Sequence, residues 1–267
     1  MEPFTFTRKQ MSQLLLSIAS YCEKRQAAAP ASHPSLNWLH EAWQRDQQPS
    51  SSDSSLSCAM PNRLQMMIEK YIRSGMWTEG LSLNEIVALG NQVEYTNFSI
   101  TSVQNWVKRE IRSLVGPPRL GKKYDLQQAA IILIVEDLRA ALSFEEIRQM
   151  FTSLRIHAQE PVPIIKPLRL YQLYSTLYEA LDQDNDQILD VRLFDPLKLH
   201  HDGQLESVIR LKTEEFLVEE LPQEREHHFL LRDALIIALT SLQTIFFQSL
   251  AKRYLQHMLY QHSEAKG

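Results

Sequence analysis

The stretch that most limits the fold is DLQQAAIILIVEDLRAAL, residues 125–142. Asp125 and Gln128 stand three apart ahead of the apolar run. At that spacing an oxygen side chain satisfies the open amide donors of a first helical turn, and the later residue reaches back. The helix that follows has almost no polar face. Such a helix is stable only when neighbours cover it on most sides, so several other helices must wrap it. Composition agrees: 7 glycines in 267 residues leave little material for a fold built from tight turns, and the 44% hydrophobic content is ordinary for a globular chain. The expectation is a mainly α protein.

Two further capping boxes bracket this run, Ser82 with Glu85 before IVAL and Ser143 with Glu146 before IRQMF. Near the start, Met11, Leu15, Ile18 and Cys22 fall on one helical face, which predicts an amphipathic helix rather than a leader sequence. Residues 26–62 are rich in Pro and Ser and read as a linker or irregular arm, with LNWLHEAW as a short docked helix. After Pro61 a new apolar stripe begins at Leu64, Met67, Ile68, Tyr71 and Ile72. These shifts divide the chain into an N-terminal helical arm and linker (1–60), a central domain (61–158) and a C-terminal helical region (159–267). Cys22 and Cys58 have no second cysteine at ligand or redox spacing, which favours a reducing cytoplasm over a disulfide framework.

The formal net charge of −4 excludes a basic signature for the whole chain, so charge must be read by region. Residues 182–226 carry thirteen Asp or Glu against five Lys or Arg. The reverse holds in SITSVQNWVKREIRSLVGPPRLGKKY, residues 99–124, where six basic residues face one acid, Glu110. An isolated basic run is usually a solvated loop. Here it sits behind a helical pattern in which Trp106 points inward and Gln104, Asn105, Lys108 and Arg112 share the outer face. Amide side chains can pair with adenine edges and hydroxyls are more permissive, so Thr101, Ser102, Gln104 and Asn105 are candidates for base reading. Lys108, Arg109, Arg112, Arg119, Lys122, Lys123 and Tyr124 are candidates for the phosphate backbone, with Gly121 permitting a tight turn at the tip.

In order, the central block has a capped short helix, a connection (GNQVEYTNF), a second helix, a Pro-Pro turn ending in basic residues, a long apolar helix and LSFEEIRQMF. This order resembles the DNA-binding domain of MerR-type regulators, and more closely an uncharacterised bacterial family of MerR-like regulators, over roughly residues 80–155. The resemblance implies a winged helix-turn-helix followed by a C-terminal helical region. It also implies double-stranded DNA as partner and sequence-specific transcriptional regulation by a dimer.

Other chemistries find little support. Asp182, Asp184, Asp186 and Asp190 match part of a calcium loop, but Gln187 replaces the turn glycine and Leu193 the bidentate glutamate. The histidine pairs lack metal-site spacing, and no phosphate loop or nucleophile motif occurs, so neither a metal, a cofactor nor an enzyme is expected. The segment 234–251 is apolar but carries internal Thr, Ser and Gln, which predicts a buried helix and not a membrane span. Its repeat of Leu231, Leu235, Leu239, Leu242, Phe246, Leu250 and Tyr254 must be covered by 168–181 and 205–221 of the same chain or by another copy. The reading adopted is a homodimer through the C-terminal helices, because helix-turn-helix proteins usually read symmetric half-sites. An effector ligand for that region is left open. The competing expectation is a non-enzymatic interaction or scaffold protein that uses the same shape to bind an acidic protein.

Overall fold

The computed structural model describes residues 5–24, 80–158, 162–183 and 201–264. The expected stripe at 64–72, the LNWLHEAW helix, Cys58 and most of the acidic run at 181–190 lie outside these. The helices are α1 (Arg8–Lys24), α2 (Leu83–Gly90), α3 (Ile100–Asn105), α4 (Arg112–Val115), α5 (Leu126–Leu138), α6 (Phe144–Ser153), α7 (Pro167–Gln183), α8 (His201–Glu220) and α9 (His228–Glu264). A π-helical stretch, Trp106–Glu110, joins α3 to α4. Extended pairing among the described residues is limited to three isolated bridges. The protein is mainly α.

Helix α5 holds the centre. Asp125 and Gln128 form the expected capping box, and all but two of the 13 residues of the helix are buried. Helices α7, α9 and α4 pack on it, and α1 packs along α7. Where α1, α5 and α7 meet, Arg8 Nε donates to Asp137 Oδ1 at 3.0 Å and the Tyr174 hydroxyl donates to Asp137 Oδ2 at 2.8 Å. Burial raises the Tyr174 and Tyr171 phenols well above their ordinary values, and the nearby Asp137 charge pushes them further the same way. Burial works against the Arg8 charge, but the charge and hydrogen bond of Asp137 outweigh it and hold the guanidinium protonated. A buried ion is tolerable only with a partner this close.

Helix α9 is long and apolar enough, by length and composition, to cross a membrane. Its first half is spent otherwise. Leu231, Leu235, Leu239, Leu242 and Ile245 are buried against α5, α7 and α8 of the same chain. This part of the stripe, assigned from sequence to a dimer interface, is therefore intrachain core. Beyond Leu250 every residue from 251 to 261 is exposed.

Candidate nucleic-acid interface

The basic corner begins with α2, whose capping box is made as its sequence requires: Glu85 accepts from the Ser82 amide at 2.6 Å and Ser82 Oγ from the Glu85 amide at 3.3 Å. The long connection to α3 is closed by one side chain. Asn91 Oδ1 accepts from the Phe98 amide at 2.6 Å and Asn91 Nδ2 donates to the Phe98 carbonyl at 3.1 Å, imitating a backbone pair across the loop. The Phe98 ring then covers Gly90. From the start of the chain, Phe6 adds backbone bonds to Gln92 and Glu94. Nine residues between helices are thereby pinned at three points.

Helix α3 and its continuation bury Val103, Trp106, Val107, Ile111 and Leu114. The Ile111 amide donates to the Trp106 carbonyl at 2.9 Å, a five-residue step that marks the π turn. Trp106 is wedged between Phe98 and Phe144, with the Arg139 guanidinium 4.3 Å over its ring. Gly116 ends the helix at φ 68°, a conformation that side chains resist, and an added Cβ would stand 2.8 Å from Ala158. The chain then turns back on itself.

Leu120 and Lys123 exchange backbone bonds of 3.0 and 3.1 Å across Gly121-Lys122. With Gly121 at φ 67° and Lys122 at negative φ, this is a two-residue hairpin of the type II′ pattern. Leu81 and Tyr124 exchange a second pair, 2.8 Å each, tying the hairpin to the residue before the Ser82 cap of α2. Gln128 fixes its base. Its Nε2 donates to the carbonyls of Val115 and Pro117, both at 2.7 Å, while its Oε1 accepts from the amides of Asp125 at 3.0 Å and Arg119 at 3.3 Å. One buried amide therefore joins the helix end, the prolines and the hairpin to α5.

On this frame Thr101, Gln104, Asn105, Lys108, Arg109, Arg112 and Lys122 are exposed and Ser102 is half-buried. A groove of about 630 Å³ between α3 and the hairpin brings together Gln104, Lys108, Arg112 and Tyr124. Tyr124 lies in it but is itself buried, and burial raises its pKa, so it packs the hairpin down instead of standing out toward a duplex. Arg109 faces a second groove, of about 830 Å³, which Arg112 shares with Arg148 and His157. Arg119 and Lys123 are partly answered, Arg119 by Asp125 at 3.0 Å and Lys123 by Glu85 at 3.9 Å. Lys108, Arg109, Arg112 and Lys122 make no ion pair among the described residues. No group of three metal-ligating side chains occurs among the described residues either.

Three contributors escaped the sequence reading. Gln128 was visible as a capping residue, but its bonds to Val115 and Pro117 span 13 and 11 residues. Arg139 and Arg148 reach Trp106 and the Glu110 carbonyl from other helices, and no local spacing signals that.

A family model described as a domain of unknown function (DUF1836) matches residues 66–176, which takes in this whole corner together with α5, α6 and the first part of α7. An uncharacterized protein of Bacillus subtilis (strain 168), YkrK, is 43% identical over 103 residues, 38% of this chain. The match takes in 44% of that relative's length. No solved structure matches.

Proposed function

We propose that residues 80–155 form a MerR-like winged helix-turn-helix and that the chain is a sequence-specific DNA-binding transcriptional regulator acting as a dimer. One observation carries the reading: Gln104, Lys108 and Arg112 line one side of an open groove whose other side is the hairpin tipped by Lys122. Amide and cationic side chains on an exposed helix suit base edges and phosphates, and a neighbouring basic hairpin suits the adjacent backbone. Helix α3 would enter the major groove while Lys122 and its neighbours grip phosphate. The rigid loop supports this use, because a recognition element held at several points loses little freedom on binding.

Mobility-shift titration of the full chain against fragments of the source genome, at two salt concentrations, tests it. The expected result is a shift on specific fragments that weakens with salt, with a log–log slope near −0.9 for each phosphate contacted. The absence of a salt-sensitive shift on every fragment overturns it. A second reading, an acidic protein partner, draws on the carboxylates that already meet Arg119 and Lys123. Charge reversal of Lys122 and Lys123 separates the two: the DNA reading expects loss of the shift, the protein reading loss of partner binding alone.

A further inference from the structure

If the chain acts as a dimer, as proposed, one of its surfaces must join the two copies. Helices α8 and α9 form an antiparallel hairpin across residues 221–227, locked by Arg232 Nη1 on Glu214 at 2.9 Å. They are unequal in length. At about 1.5 Å per residue, the 20 residues of α8 reach about 30 Å and the 37 of α9 about 55 Å. Helix α9 therefore runs roughly 25 Å past the N-terminal end of its neighbour, which is why residues 251–261 are all exposed.

The overhang presents apolar side chains to solvent, Leu259 and Tyr260 among them. Phe247, Tyr254, Leu255 and Met258 fall on one face and are each about half exposed or more. Its only Lys or Arg residues between 247 and 261 are Lys252 and Arg253, and no acid occurs from 234 to 263. Helix α8 shows the opposite. It turns Ile209, Thr213 and Leu217 inward and leaves Val208, Leu211 and Val218 each more than half exposed on its outer side, interleaved with Glu215 and Glu219. Across 206–220 there are five glutamates against Arg210 and Lys212. The chain thus carries one apolar strip flanked by Lys252, on a segment without acids, and a second strip interleaved with Glu215 and Glu219; neither is covered among the described residues.

We infer that the overhang of α9 packs on the outer face of α8 in a second copy of this chain, reciprocally about a two-fold axis. The helix directions allow it. Because the overhang passes the N-terminal end of its own α8, an axis placed there lays each overhang alongside the α8 of the other copy. A stable pair buries about 1,200–2,000 Å², and two-fold symmetry supplies the contact twice. Charge complementarity selects α8 as the receiving surface: two overhangs side by side would set Lys252 and Arg253 of both copies together. The contact also lies close to the basic corner, since Phe246 meets Tyr95 of the connection before α3, ring to ring at 5.7 Å.

The inference concerns association without DNA, so its failure and that of the regulator reading are separable. Light scattering on the full chain is expected to give a dimer. Met258→Glu with Leu255→Glu is expected to give a monomer of unchanged helix content. A chain carrying Lys252→Glu and Arg253→Glu, and another carrying Glu215→Lys and Glu219→Lys, should each self-associate roughly ten-fold more weakly or worse. Mixed together, they should form a heterodimer near wild-type strength, because both contacts are then complementary. A wild-type chain that stays monomeric overturns the inference and points to cover by another part of the same chain. A dimer indifferent to the α8 substitutions, with no preference for the mixed pair, overturns it in favour of overhang against overhang. If the charge variants fail to fold, Met258→Cys on one copy and Leu211→Cys on the other, with Cys22 and Cys58 replaced by Ser, must cross-link between chains.

Discussion

Charge is handled in opposite ways at the two ends of the central helix. At the C-terminal end of α5, Asp137 is almost wholly buried and accepts from both Arg8 and Tyr174. At the N-terminal end, beside the hairpin, Lys108, Arg109, Arg112 and Lys122 stand in solvent with no carboxylate paired to them among the described residues. An interior charge must be answered or the fold fails. A solvated cation asks nothing of the fold, so several gathered on one surface are the place to look for a partner. Interior charge here reports on stability; on the proposed function, the surface charge serves recognition.

The contrast can be broken by substitution. Asp137→Ala has the largest expected effect, a loss of about 3–5 kcal/mol in chemical denaturation, because Arg8 is left buried alone. Pairing Arg8→Met with Asp137→Leu should return most of that loss, and an Asp137→Ala cost under about 1 kcal/mol would contradict an interior role. Next comes Gln128→Leu. Four backbone groups lose their partner, at about 1–3 kcal/mol for a buried group left unmade, and amide exchange at Leu120 and Lys123 should quicken before that of α5. Equal exchange rates would show that the hairpin does not depend on the clamp.

Smaller effects sharpen the other side. Arg139→Ala should cost about 0.5–1 kcal/mol through the lost stacking on Trp106, read as a lower denaturation midpoint, with Arg139→Lys retaining part of it. Lys108→Ala and Arg112→Ala should leave stability within about 0.5 kcal/mol of wild type. On the proposed function, the same changes weaken DNA binding and each reduces the salt slope by about one phosphate's share. A large stability cost at Arg112 would place that residue with the interior charges instead.

What could be read in advance was what neighbours in sequence decide. All three capping boxes form because each needs only residues three apart. The apolar density of α5 announced its burial, and the inward reading of Trp106 announced which face of the helix begun by α3 turns to the core. The Gly121 turn was equally local. What stayed hidden depends on distant partners or on the backbone. Arg8 and Asp137 are 129 residues apart, and the π turn at Trp106 has no sequence signature of its own. The periodicity of α9 shows that it needs cover, yet identical heptad-like spacing serves the buried first half and the exposed second, so the point where its own chain runs out had to come from the fold. Tyr124, grouped from sequence with the basic residues around it, is instead held under the hairpin.

The 129-residue gap has a consequence for biosynthesis. At about 5–20 residues per second, a ribosome needs on the order of ten seconds between releasing the guanidinium of Arg8 and the carboxylate that answers it. Until then Arg8 stays in water, because it can be buried only beside Asp137. Helix α1 thus docks only after α5 has been made, and a nascent chain arrested before α5 emerges should keep α1 open to proteases or chaperones.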